Sequence, residues 1–116
     1  MTNTIMRKAL VPLLLSLSLP FHAHAQTVVG NAEAARVKNS MCIGCHGIPM
    51  YKTAFPEVYS VPMIAGQSAD YIVKALQEYR SGDRSHPTMR GIAKGLSDQD
   101  MADLAAYYGA SGKADK

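Results

Sequence analysis

Two thiols and an imidazole lie within five residues of one another, at Cys42-Ile43-Gly44-Cys45-His46. Residues three apart on a helix share a face, so Cys42 and Cys45 can reach the two vinyl groups of one porphyrin. His46 follows directly and can turn its ring over the macrocycle to bind an iron. C-x-x-C-H is the attachment pattern of c-type haem for this reason. A thioredoxin-like redox pair uses the same C-x-x-C but belongs with a βαβ pattern, and this chain has almost no strand signal. A zinc site needs about four ligands in tetrahedral array. Beyond residue 25 there is no third Cys, and the one further His is His86. The spacing predicts one covalently attached haem c, with Cys42 and Cys45 as thioether donors and His46 as an iron ligand.

The opposite face of such an iron needs its own partner. The chain beyond residue 25 offers Met41, Met50, Met63, Met89, Met101 and His86. Most methionines are core fillers. Met41 adjoins Cys42 on the same helix and does not cross the ring. Met50 is close to His46 in sequence, and Met101 falls on an apolar helical stripe. Met63, Met89 and His86 remain open on this reading. A Met ligand gives a higher potential than a second His.

The elements that must position these groups are helical. Residues 30–46 read as a first helix, with Asn31 as N-cap, Glu33 in its first turn and the haem motif at its C-terminal end. Gly47 turns the chain out. Residues 47–67 form a long connection, made irregular by Pro49, Pro56 and Pro62. Its apolar residues, Met50, Tyr51, Phe55, Val58, Tyr59, Val61, Met63 and Ile64, suit a segment that wraps a porphyrin. Residues 68–80 are the clearest helix, capped by Ser68 and stopped at Gly82. Its stripe of Tyr71, Ile72, Ala75, Leu76 and Tyr79 reads as core. Residues 86–94 hold a short helical turn ended by Gly95.

Ser97-Asp98-Gln99-Asp100 opens a last helix with a capping pattern. Met101, Leu104, Ala105 and Tyr108 form its apolar stripe, and Gly109 or Gly112 closes it. Asp98, Asp100 and Asp103 read as the solvent face of that helix start rather than as catalytic acids. No repeat and no second domain is visible. The fold class is therefore all-α, about four helices around one haem.

The N-terminus reads as a secretory signal peptide, residues 1–25. Arg7 and Lys8 form its basic region, Ala9 to Phe21 its apolar core, and Ala23-His24-Ala25 its cleavage site. The apolar run of 13 residues is shorter than the roughly 20 that span a bilayer. Cleavage after Ala25 leaves one domain, residues 26–116, in the periplasm, with no stable membrane anchor. The full chain carries 12 Lys+Arg against 9 Asp+Glu. Residues 1–25 hold two of those basic residues and no acidic one, so the remainder has a formal charge of +1. That balance gives no reason to expect a nucleic-acid partner. A domain of this size has a limited core, and the buried haem would act as its staple.

Taken in order, these segments resemble class I cytochromes c, most closely a single domain of the cytochrome c4 and small bacterial cytochrome c-553 group. The marks are Cys-Ile-Gly-Cys-His-Gly (42–47), Pro-Met-Ile-Ala-Gly-Gln (62–67), Tyr71, Leu76, Tyr-Arg-Ser-Gly-Asp-Arg (79–84), Met89 and the run 96–108. The resemblance implies a class I cytochrome c fold whose N- and C-terminal helices pack together, with one haem edge exposed. It implies that Met89 matches the family's sixth-ligand position, giving His46 and Met89 as axial iron ligands. It also implies that the carbonyl of Pro62 accepts the Nδ1–H of His46, which fixes the tautomer. That puts Met63 on the His46 side. Two departures stand out: Met63 replaces a usual Lys or Leu, and residues 48–60 lack the group's Gly/Asn-rich sequence.

The favoured function is a periplasmic monohaem one-electron carrier with both axial positions filled, and not an enzyme. Its partners would be a dehydrogenase or a bc1-type complex upstream and an oxidase or reductase downstream, in encounters of small area. A dedicated cytochrome subunit of one periplasmic oxidoreductase is the alternative, with Met50, Tyr51, Phe55 and Tyr59 as its interface. A haem peroxidase or gas sensor needs an open sixth site, and no distal His/Arg pair stands out.

Overall fold

Asn31 starts the first helix as expected: its side chain accepts from Glu33 N and Ala34 N. The computed structural model describes residues 28–54 and 58–111. The expected signal peptide, residues 1–25, and Phe55 and Pro56 therefore lie outside the described residues. The expected single helix over 30–46 is two helices, α1 (Ala32–Ala35) and α2 (Ser40–His46). Between them the chain makes tight turns, with Arg36 N donating to Glu33 O and Lys38 N to Ala35 O. Val37 in this break is bare to solvent, and Lys38 is drawn toward the last helix, so the apolar period is not sustained. Gly47 ends α2 with a negative φ; a Cβ there would come within 2.6 Å of Ile43 O.

The connection 47–67 contains the one regular feature not expected from the sequence. Strands β1 (Lys52–Thr53) and β2 (Tyr59–Ser60) pair antiparallel, Lys52 opposite Ser60 and Thr53 opposite Tyr59. Val61 N donates to Tyr51 O and extends the ribbon. Two-residue strands are too short to leave a period-2 signature. Helix α3 (Ala69–Ser81) follows, then α4 (Pro87–Lys94) and α5 (Asp98–Ser111). Ser68 occupies the α3 cap position, but its side chain makes no capping bond. Gly82, at φ 99°, takes the left-handed turn that releases the chain from α3. Ser97 and Asp100 form the expected reciprocal cap of α5: Ser97 N donates to Asp100 Oδ2 and Asp100 N to Ser97 Oγ. Gly109 does not close α5, which continues to Ser111; Gly112 lies outside the described residues.

α1 and α3 both pack on α5, and α4 packs on α3. Ala35, Ile72, Leu104, Ala105 and Tyr108 form the buried centre, with Cys42, Ile64, Val73, Leu76 and Leu96 against it. The expected α5 stripe of Met101, Leu104, Ala105 and Tyr108 is buried throughout. The segment before α1 lies so close to α5 that a Cβ on Gly30 would collide with the Ala102 carbonyl.

One expectation fails here. Asp103 is not on the solvent face; it is 2% exposed. Its carboxylate accepts from Asn31 N (2.8 Å), Lys38 Nζ (2.8 Å) and Gln99 Nε2 (2.8 Å). Lys38 also pairs with Asp100 at 2.7 Å. This clasp ties the start of α1 and the α1–α2 break to α5. Lys38 holds both carboxyls below the ordinary carboxylate range, and they in turn raise the Lys38 ammonium. Asp98 pairs with Arg80 at 2.6 Å and does face solvent.

Candidate functional site

A cavity of about 330 Å³ lies between α2, the β1–β2 ribbon with the loop that follows it, and the inner faces of α3, α4 and α5. Its walls are mainly apolar: Val61, Ile64, Ile72, Ala75, Leu76, Ile92, Leu96 and Leu104. The α3 stripe of Tyr71, Ile72, Ala75, Leu76 and Tyr79, read from the sequence as core, also lines this cavity, while Ile72 and Leu76 belong to the core as expected. Within the stripe Ile72 is buried and Tyr71 is half-exposed. Periodicity gives the inward face of a helix but not whether protein or a prosthetic group fills the space before it.

α2 brings Cys42, Cys45 and His46 to one wall. Both cysteines are half-buried and form no disulfide, which leaves both sulfurs available to a porphyrin. His46 Nδ1–H donates to the carbonyl of Pro62 at 2.6 Å. The bond directs Nε2 away from the loop and leaves it without that proton. The loop reaches His46 because its 60s end is pinned: Gly66 N donates to Tyr108 O, and Gln67 N to Ile64 O. At Gly109 a Cβ would come within 3.3 Å of Gln67 O, so a small residue lets this loop sit against α5.

Met89 also lines the cavity, in the first turn of α4. His86 and Met63 are further lining residues. Met63 follows Pro62 and is half-exposed. Met41 lines the cavity from α2 and is likewise half-exposed. Met101 is fully buried in the core, and Met50, 94% exposed at φ 58°, points into solvent. Met50 therefore does not contribute to the wrap expected of its loop.

Two polar features carry no role in the sequence reading. Arg84 lines the cavity with its guanidinium 5.3 Å from the Tyr71 ring centre and 5.6 Å from that of Tyr79. It pairs with Glu78 at 2.7 Å and donates to Tyr71 Oη, and these bonds raise its pKa. The Gly82 turn accounts for this, because it brings Arg84 back against α3. The second is the buried Tyr108 hydroxyl, which has no partner among the described residues. Burial, then the nearby Cys42 and Tyr107, pushes its pKa up to about 12.

The donor set suits a covalently held porphyrin. Two thiols on one helical face, an imidazole with a fixed tautomer and a thioether on another wall surround an apolar space. Among the described residues no cluster of three or more His, Cys, Asp or Glu is placed to hold a bare metal ion. No described helix is long and apolar enough to cross a membrane.

The family model for cytochrome c matches residues 32–108. The chain is 40% identical to cytochrome c4 of Pseudomonas aeruginosa over 103 residues, 89% of this chain and 48% of that protein. It is 40% identical to cytochrome c-554(548) of Halomonas halodenitrificans over 82 residues, 68% of this chain and 94% of that protein. It is 38% identical to the thiosulfate dehydrogenase electron acceptor of Stutzerimonas stutzeri over 77 residues, 66% of this chain and 33% of that protein. The chain thus spans about half the length of the cytochrome c4 relative.

Proposed function

The chain belongs to the cytochrome c family, a haem c electron-transfer protein and not an enzyme, and from that premise we propose a periplasmic monohaem carrier whose iron is held by His46 and Met89. The observation that carries the reading is the placement of both groups on one apolar cavity, with the Nδ1 of His46 already committed to Pro62.

Haem c, when bound, supplies a one-electron Fe(III)/Fe(II) couple. The chain holds and tunes it. Cys42 and Cys45 fix the ring through thioethers. The Pro62 carbonyl orients His46 and raises its basicity. Met89 would supply a soft thioether sulfur, which favours the reduced state relative to the harder nitrogen of a second imidazole. The apolar walls keep water from the metal and raise the potential further. With His46 and Met89 both holding the iron, the site would offer a substrate no open position.

The partners of this reading are redox proteins: a dehydrogenase or bc1-type complex as donor, and an oxidase or reductase as acceptor. The relative named as an electron acceptor of thiosulfate dehydrogenase supports a role of this kind. Export with cleavage after Ala25 belongs to the same reading, and the N-terminal sequence of the mature protein tests it. A second reading, a fixed subunit of one oxidoreductase, is favoured by Met50 and Val58, which stand bare on the loop between α2 and α3. Retention by a single enzyme through gel filtration would select it.

Carbon monoxide tests the filled sixth site. The reduced wild-type protein is expected to bind it poorly at neutral pH, and Met89→Ala to bind it readily. Ready binding by the wild type would overturn the His/Met assignment and move the function toward a sensor or peroxidase.

A further inference from the structure

His86 meets three different elements at the cavity wall. Its ring lies 4.1 Å from that of Tyr59 on β2, the planes inclined at 46°. Tyr79 on α3 stands edge-on to it, 6.5 Å away at 82°. On α4 itself, Met89 N donates to His86 Nδ1 at 3.4 Å, and the His86 carbonyl accepts from Arg90 N. Pro87 at the first helical position has no N–H to satisfy. The His86 ring thus takes a free amide of the first turn, and that amide belongs to Met89.

We propose that His86 is a positioning residue for Met89, capping α4 through Nδ1 while Tyr59 and Tyr79 hold its ring. The proposal rests on the reading of Met89 as the sixth iron ligand. With Nδ1 accepting, the ring proton sits on Nε2, so this imidazole is committed to the helix start rather than to a metal. A thioether is a weak neutral donor, and its retention depends on how little the turn that carries it moves. A cap on that residue's own amide, anchored in two neighbouring elements, limits the movement.

The test uses the ferric holoprotein and exogenous imidazole, which competes with a thioether for the iron. His86→Asn keeps a capping acceptor. His86→Phe keeps an aromatic ring against Tyr59 but offers no acceptor. His86→Leu is the second acceptor-free variant should the first fail to mature. We expect His86→Asn to bind imidazole as the wild type does. We expect the acceptor-free variants to bind it roughly fivefold more tightly, the factor a lost cap ordinarily represents. Their weak far-red Met-to-Fe(III) band should be lost at a roughly fivefold lower imidazole concentration, while far-UV circular dichroism stays helical. An unchanged band and affinity in both acceptor-free variants would overturn the positioning role and leave the Met89 reading intact. A wild type without the band, whose His86→Asn variant turns high-spin, would overturn both by making His86 itself the ligand.

Discussion

Pro62 acts on His46 through its carbonyl, so this part of its effect reaches the site by way of another residue. In the proposed site the same indirect action would govern Met89, whose hold on the iron would depend on the first turn of α4. Met89→His is expected to lower the midpoint potential, because imidazole stabilises the ferric state more than a thioether does. Protein-film voltammetry reads this directly, and an unchanged potential would show that residue 89 is not on the iron. At this scale the attachment motif was legible, because Cys42, Cys45 and His46 act through local spacing. The choice among Met89, His86 and Met63 was not legible in spacing alone and rests on the resemblance, because all three line one cavity. Asp103 was misread for a similar reason. Its helical position looks outward until Asn31 and Lys38 arrive from some 70 residues away to cover it.

Among the elements, α3, α4 and α5 were legible from caps, stops and a 3.6 period. The α1–α2 break was not, because it is made by the pull of Lys38 toward α5 and not by a Pro or Gly in 36–39. The β1–β2 ribbon escaped because two residues per strand carry no pattern. The contact of the α1 side with α5 gives a sharp prediction. Gly30→Ala would drive a methyl into the Ala102 carbonyl and should cost about 1–3 kcal/mol. Thermal unfolding of the holoprotein should show this as a Tm lower by roughly 4–8 °C for each kcal/mol. No change in Tm would mean that the approach of residue 30 to α5 is looser than described. Gly82→Ala is a milder test at the left-handed turn after α3, with an expected cost of about 1 kcal/mol.

Across the whole molecule, the clasp of Lys38, Asp100 and Asp103 joins the two ends of the described chain, so it should govern how the fold responds to acid. Both carboxyls have folded-state pKa values below the ordinary range, chiefly through Lys38. Their contribution is therefore complete above about pH 4, the unfolded carboxylate value. It is lost as pH falls through the lowered values. On the alkaline side the raised Lys38 contributes below its ordinary value of 10.5 and loses that contribution only above it. Lys38→Met should lower stability at neutral pH and flatten its decline between about pH 4 and pH 2. Denaturant midpoints measured across that range check the slope. A variant that declines as steeply as the wild type would remove the clasp from the account.

The central claim is that a covalent haem sits in this cavity between His46 and Met89. The most direct measurement is the absorption spectrum of the ferric protein matured with haem. The account predicts a weak far-red Met-to-Fe(III) band that Met89→Ala abolishes and Met63→Leu leaves in place. A haem spectrum without that band, or a band lost with Met63 and kept without Met89, would contradict it.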